Sequence, residues 1–420
     1  MLDIKFIREN PDLIREAARK KHINFNVDEL VSSDQKRLEK LSVVESLRAE
    51  QNAVSDKIPS ATPDEKQKLI EQMGLLKADL KKHEEELKEI MVEWQRLMLA
   101  VPNVPDISVP EGESDADNRE VHTWGELPKF DFAVKDHIEL VELHDLADFE
   151  RGAKVSGFRG YFLKNEGALL SYAIWQYAME KLVSKGYTPM IVPSLVSKKT
   201  LMGTGYLPGG EDDLYRTQDE DYFAGTGEVA TMSYYSDEVL EDNFPKKIAA
   251  FSPCFRREAG AHSKDTKGLY RVHEFMKVEQ VVLCHANHEE SVKYHEEVQQ
   301  NIEELAQDLG IPYQVVINCG GDLGQGQVKK YDTNLWVPSQ NTYREISSAS
   351  YFHDYQTRRL NIRYKDADGK MRFAHSLNST MAPTPRFLIA ILENNQQADG
   401  TIKIPEVLRK YMGGKEFIGK

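Results

Sequence analysis

Residues 255–280 read FRREAGAHSKDTKGLYRVHEFMKVEQ, two strand-like pieces around a loop rich in Gly, Ser, Lys and Asp. A strand over 251–258 places Ser252, Cys254, Arg256 and Glu258 on one face, because side chains alternate with a period of two. A returning strand places Arg271, His273, Phe275, Lys277 and Glu279 on one face for the same reason. Paired antiparallel, the two strands offer arginines, glutamates and an aromatic ring to the same side. That face suits a small ligand carrying phosphate, a flat ring and an amine better than it suits a core. The alternative is a solvated sheet face laced with salt bridges.

The neighbouring sequence extends this pattern. Apolar runs KIAAFSPCF (247–255), MKVEQVVL (276–283) and YQVVINC (313–319) read as strands. SVKYHEEVQQNIEELAQDLG (291–310) reads as a helix. The class is α+β. Near the C-terminus, HSLNSTMAPTPRFLIAILENNQ (375–396) starts as a strand and becomes an apolar helix, with Pro385 suited to the first helical position. Arg386 then falls in the first turn, where the helix dipole disfavours a cation, so it points to a bound anion or is a tolerated surface arginine.

The N-terminal part is different. From Val27 to Leu99 the only glycine is Gly74, and the cluster Pro59 to Pro63 divides the stretch into two long helices. In the second, Leu69, Met73, Leu76, Leu80, His83, Leu87, Ile90, Trp94 and Leu97 recur at steps of four and three, a heptad seam with one polar position. Leu38, Leu41, Val44, Leu47, Val54 and Ile58 in the first are compatible with pairing back on it. An antiparallel hairpin roughly 45 Å long follows from about 30 residues per helix. Such an arm either reaches for a partner or dimerises as a coiled coil. After Leu99 the stretch VPNVPDISVPEGESDADNRE is aperiodic, so we expect an arm domain over 1–104, a linker over 105–120 and a larger domain over 121–420.

The net charge of −14, with 29% charged residues, disfavours holding nucleic acid by bulk attraction, so any RNA contact must be local. Cys254, Cys284 and Cys319 form no CxxC pair, which suggests neither a disulfide framework nor a zinc site. The N-terminal MLDIKFIRENPDLIREAARKK lacks a secretory apolar core and no apolar run reaches membrane-spanning length, so a cytoplasmic location with no membrane partner is expected.

The motif at 255–280 and its companions resemble the seryl-tRNA synthetases of bacterial type, within the class II aminoacyl-tRNA synthetases. The likeness includes MLDIKFIRENPDLIREA, VKDHIEL, DFERGAKVSGFRGYFLKNEGALL, LMGTGYLPGGEDDLY, GDLGQGQVKKYD, EISSASYFHDYQTRR and HSLNSTMA with RFLIAILEN. It implies an antiparallel sheet flanked by helices. It also implies ATP and Mg²⁺, a seryl-adenylate, and transfer to tRNA(Ser) held through the N-terminal arm, with tRNA(Sec) left open as a second acceptor. Carried over by position, it puts Arg256 on the α-phosphate, Glu258 on the adenine amino group, Phe275 on the ring, and Arg271 and Arg386 on the triphosphate. Arg257, Ile346 and Ser347 complete the ATP set. Glu345 and Ser348 would hold Mg²⁺; they face opposite ways in a straight strand, so a bulge is expected there. Serine is expected at Thr226, Glu228, Arg256, Glu279 and Thr380, with Arg256, Glu279 and Arg386 the catalytic group. GYTPMIVPSLV (186–196), with Pro193, matches the element that builds the family's homodimer; its plain reading is a helix-to-strand turn.

Three places depart from the family pattern: TGEV at 226–229, NST at 378–380 and ENNQ at 393–396. Gly227 would free the backbone beside the serine pocket. GGDLGQG (320–326) reads as a tight turn rather than a dinucleotide loop, for want of a βαβ frame. His285, His288 and His295 read as positions on a solvated helix. Two rivals remain: a paralogue that activates an amino acid for another acceptor, which would lose the arm, and a catalytically dead RNA-binding protein, which would lose charged ligands.

Overall fold

The computed structural model describes residues 1–241, 243–260 and 265–419, so part of the loop in the 255–280 motif, residues 261–264, lies outside the described residues. The chain divides into two compact units, Met1–Arg19 with Ile23–Pro102, and Lys20–His22 with Asn103–Lys420.

The first unit is built on two long antiparallel helices, α1 (Val27–Lys57) and α2 (Pro63–Ala100). Asn26 starts α1: its side chain accepts from the backbone N–H groups of Asp28 and Glu29 at 3.1 and 3.4 Å. Helix α2 starts with Pro63 at its first position, and the Glu65 carboxylate accepts from the Thr62 N–H at 3.0 Å. Every seam residue named above on both helices is buried or half-buried, while most positions between them are exposed. At the polar position, Lys40 reaches across to the His83 ring at 3.0 Å and to Glu86 at 2.6 Å. A polar pair inside an apolar seam favours one register over its neighbours.

The second unit is organised by an eight-stranded sheet. Its strands are β1 (Arg119–Trp124), β2 (Thr188–Ile191), β3 (Lys246–Phe255), β4 (Glu274–Cys284), β5 (Tyr313–Ile317), β6 (Lys329–Val337), β7 (Thr342–His353) and β8 (His375–Thr384), in spatial order β1-β5-β6-β7-β8-β4-β3-β2. All neighbours are antiparallel except β2 with β3. Three helices pack with it: α3 (Asn165–Ser184), α5 (His288–Asp308) and α7 (Arg386–Asn394). Two more, α4 (Gly227–Ser233) and α6 (Tyr355–Leu360), flank the site. Period-two alternation assigns the faces of β4. Val278, Val282 and Cys284 join the main core with α3, α5 and α7, while Phe275 and Lys277 line a cavity on the other side and Glu279 meets Thr226 and Thr380.

Two expectations are corrected here. The segment 105–120 is not a free linker, because its backbone is stitched to the second unit: Asp106 N–H donates to Val328 O at 2.9 Å and Gly320 N–H to Pro110 O at 3.0 Å. The turn at 320–326 receives it closely; a Cβ on Gly321 would sit 2.4 Å from Glu113 O. Helix α5 is not solvated either. His295 is buried, its ring stacked on Tyr331 at 4.8 Å and its Nε2 2.9 Å from Ala349 O, and burial lowers its pKa to about 4.

Candidate functional site

A cavity opens on the sheet face opposite the main core, between the ends of β3, β4, β7 and β8. Strand β3 stops at Phe255, one residue before Arg256, and Glu258 has a φ of 55°. The straight alternation expected through Glu258 therefore fails, and a turn rather than a strand carries its carboxylate inward. There it is buried and ion-paired with Arg271. Arg256 keeps one ladder bond, its N–H donating to His273 O at 2.9 Å. Its guanidinium lies over the Phe275 ring at 5.3 Å and donates to Gly225 O at 3.3 Å. Arginine and ring thus form one wall, flat on one side and cationic on the other.

His273 leaves this face. It precedes β4, and its Nδ1 lies 3.0 Å from Arg256 O while its ring meets Tyr215 edge-on in a neighbouring groove. Arg257 does not join the cavity lining; its side chain is exposed and its N–H donates to Asp213 O at 3.0 Å.

The bulge expected between Glu345 and Ser348 is present. Asn334 pairs with Glu345 and Thr333 with Ser347, so Ile346 is the extra residue of β7. Glu345, Ile346, Ser347 and Ser348 consequently all line the cavity. Pro385 occupies the N-cap of α7 rather than its first position, and Arg386 is the first helical residue. Arg386 is compensated inside the protein: it donates to Glu345 O at 2.9 Å and Tyr270 O at 3.3 Å, lies 3.5 Å from the Glu345 carboxylate, and sits over the Tyr270 ring at 4.9 Å. The Glu345 side chain is half exposed; the desolvation it does suffer in the cleft would raise its pKa, but Arg386, Lys330 and Arg256 outweigh it and hold the carboxylate below its ordinary value.

Beyond Lys277 the cavity gives way to a buried polar cluster. Thr226 is the N-cap of α4, its hydroxyl accepting from Glu228 N–H at 3.4 Å. Thr226 and Thr380 donate to Glu279 at 3.3 and 3.4 Å. Glu228 accepts from Tyr206 at 2.9 Å and Gln356 at 2.6 Å. Burial pushes Glu228 up to about 7, with the charge of Glu279 adding to it. Lys277 donates to Thr226 at 2.8 Å and Thr380 at 3.1 Å and is ion-paired with Glu279. Gly227 does not use the backbone freedom expected of it, since no left-handed φ occurs there. What it provides is close approach: a Cβ would lie 3.1 Å from Ser252 Oγ.

The structure thus brings Thr226, Glu228, Arg256, Glu258, Arg271, Phe275, Glu279, Glu345, Ile346, Ser347, Ser348, Thr380 and Arg386 around one continuous region and leaves Arg257 outside it. Sequence reasoning placed Lys277 on this face by its alternation with Phe275 and Glu279 but gave it no role, and it assigned none to Tyr206 or Gln356, although both lie in segments that resemble the family, LMGTGYLPGGEDDLY and EISSASYFHDYQTRR.

Elsewhere, β2 is an edge strand whose Ile191 is 87% exposed, next to Pro193. The three cysteines are free and buried. Among the described residues, no cluster of three or more His, Cys, Asp or Glu side chains is arranged to hold a metal ion, and no helix is long and apolar enough to cross a membrane.

Residues 1–105 match the profile of the seryl-tRNA synthetase N-terminal domain, and residues 213–395 that of the class II tRNA synthetase core domain (G, H, P, S and T). A serine–tRNA ligase of Deinococcus radiodurans is 46% identical over 422 residues, covering 100% of this chain and 99% of its own. A crystal structure of seryl-tRNA synthetase from Pyrococcus horikoshii complexed with ATP superposes with a TM-score of 0.90 at 37% identity, covering 100% of this chain and 99% of that one. The cytoplasmic serine–tRNA ligase of Naegleria fowleri in complex with AMP gives 0.87 at 32%, with coverage of 100% and 98%.

Proposed function

The chain belongs to the seryl-tRNA synthetase family, and from that membership we propose how its residues divide the work of joining serine to tRNA. ATP lies in the cavity with its adenine on Phe275 and its amino group toward Glu258. Arg271 and Arg386 hold the outer phosphates. Arg256 faces the α-phosphate, where negative charge grows as a serine carboxylate oxygen attacks phosphorus and pyrophosphate departs. Serine lies among Thr226, Glu228, Glu279 and Thr380, which can accept from its amine and hydroxyl. The 3′ hydroxyl of tRNA(Ser) then attacks the seryl carbonyl and AMP leaves.

No side chain becomes covalently attached in this scheme. The chain's contribution is alignment of carboxylate against phosphorus and charge stabilisation by Arg256. Glu345 and Ser348 fit Mg²⁺: the bulge at Ile346 turns both oxygen donors toward the phosphate side, and Glu345 is held ionised. When bound, Mg²⁺ would supply charge neutralisation to phosphate oxygens.

The α1–α2 hairpin serves as the tRNA-binding arm, and the protein works as a cytoplasmic homodimer through the edge strand β2 and the exposed apolar side chains Leu169, Tyr172, Ile191 and Leu195. The observation that carries the whole reading is the buried carboxylate and hydroxyl cluster set beside the Arg256–Phe275 wall. Aminoacylation of a tRNA(Ser) transcript tests it. Serine-dependent charging is expected. Adenylate formation without transfer would favour the paralogue with another acceptor, and absence of any adenylate would favour the dead RNA-binding protein.

A further inference from the structure

Among the described residues, Lys277 is the cation that reaches into the cluster of Thr226, Glu228, Glu279 and Thr380. Its side chain is 4% exposed and that of Glu279 3%. An ammonium has three N–H donors, and here three groups take them: the Thr226 hydroxyl at 2.8 Å, the Thr380 hydroxyl at 3.1 Å and the Glu279 carboxylate. The α-amine of an amino acid at neutral pH is also an ammonium with three donors. Lys277 therefore already occupies three of the four groups, Thr226, Thr380 and Glu279, that the serine reading offers the substrate's amine and hydroxyl.

Two ammonium groups at hydrogen-bonding distance of the same Glu279 oxygen and the same two hydroxyls would repel strongly in a dry site. The lysine stem allows a second position. Lys277 projects from β4 between Phe275 and Glu279, and it lines the phosphate cavity together with Ser348 and Arg256. Rotation about its four-carbon stem would carry the ammonium from the carboxylate cluster toward that cavity, where the carboxylate of a bound amino acid would replace the negative charge it leaves behind.

We propose that Lys277 is a positioning residue that fills the amino-group subsite while the pocket is empty, keeping Glu279 oriented, and yields that subsite to serine by moving toward the phosphate side. This rests on serine binding among Thr226, Glu228, Glu279 and Thr380. The resident cation lowers the cost of burying Glu279 before substrate arrives.

The direct test is a crystal structure of the full-length protein with serine and a non-hydrolysable ATP analogue. The serine amine should contact Thr226 and Glu279, with Lys277 Nζ moved beyond about 3.5 Å from both. Serine bound in this pocket with Lys277 still on Thr226, Thr380 and Glu279 would overturn the proposal alone; serine bound elsewhere would overturn the pocket assignment with it. Pyrophosphate exchange by Lys277→Met provides a second readout: the KM for serine should rise about tenfold or more while that for ATP stays within about twofold, and Lys277→Arg should recover part of the loss. An unchanged serine KM, or equal rises for both substrates, would contradict the role.

Discussion

The side-chain amide of Gln356 donates to Glu228 at 2.6 Å, and its carbonyl oxygen accepts from Ser376 at 2.8 Å, so a residue of α6 orients a carboxylate of α4. That bond lowers the Glu228 pKa against the burial that raises it to about 7. If ionised Glu228 receives the serine amine, kcat/KM for serine should rise with pH through about 7. Gln356→Leu should move that midpoint upward, and the pH profile of pyrophosphate exchange will show it. An identical midpoint in the variant would remove Glu228 from the step.

The same carboxyl makes a prediction about stability. Glu228 binds its proton more tightly in the folded chain than in the unfolded one, where its ordinary value is 4.5. The folded state therefore loses stability as pH rises from 4.5 to about 7, and the cost is complete above that. At about 1.4 kcal/mol per pH unit it amounts to about 3 kcal/mol. Relative to wild type, Glu228→Gln should be more resistant to urea at pH 8 than at pH 5. A difference independent of pH would contradict the buried titration.

Arg256→Ala removes the donor aimed at developing charge, and should lower serine-dependent exchange by about 10²–10³-fold or more. The fold should survive, because Arg256 lies after the end of β3 and its ladder bond to His273 is made by its backbone. Exchange within about tenfold of wild type, with an unchanged circular dichroism spectrum, would contradict the phosphate role.

Replacing residues 30–98 by a short linker removes most of the arm, whereas every proposed ligand of ATP and serine belongs to the second unit. Exchange should fall by no more than about threefold, while tRNA charging should fall by about 100-fold or more, the wild-type binding being salt-dependent through arm lysines and arginines. Full charging by the armless protein would return the hairpin to a plain coiled coil.

What could be read from the sequence was what depends on local periodicity. The seam from Leu69 to Leu97 repeats at heptad spacing and is buried or half-buried throughout. The bulge found at Ile346 was expected between Glu345 and Ser348 only because the family resemblance put both on one ion while alternation puts them on opposite sides. Where the chain leaves its period, the reading failed. Glu258 turns through a positive φ, His273 precedes its strand, and Arg257 faces out. Pairings distant in sequence were equally hidden: nothing near Glu228 announces Gln356, and nothing near Pro110 announces Gly320. The core position of His295 depends on Tyr331 across α5 and β6.

The most direct measurement of the central claim, that serine is activated in the pocket around Glu279, is pyrophosphate exchange with serine, alanine and threonine for wild type and Glu279→Ala. A site whose buried groups expect a substrate hydroxyl rejects alanine by about 10⁴ in kcat/KM, because its polar groups are left unpaired. Wild type should show that preference, and Glu279→Ala should lose most of it together with most of its serine activity. A Glu279→Ala protein that keeps the full preference for serine over alanine would contradict the assignment of the pocket.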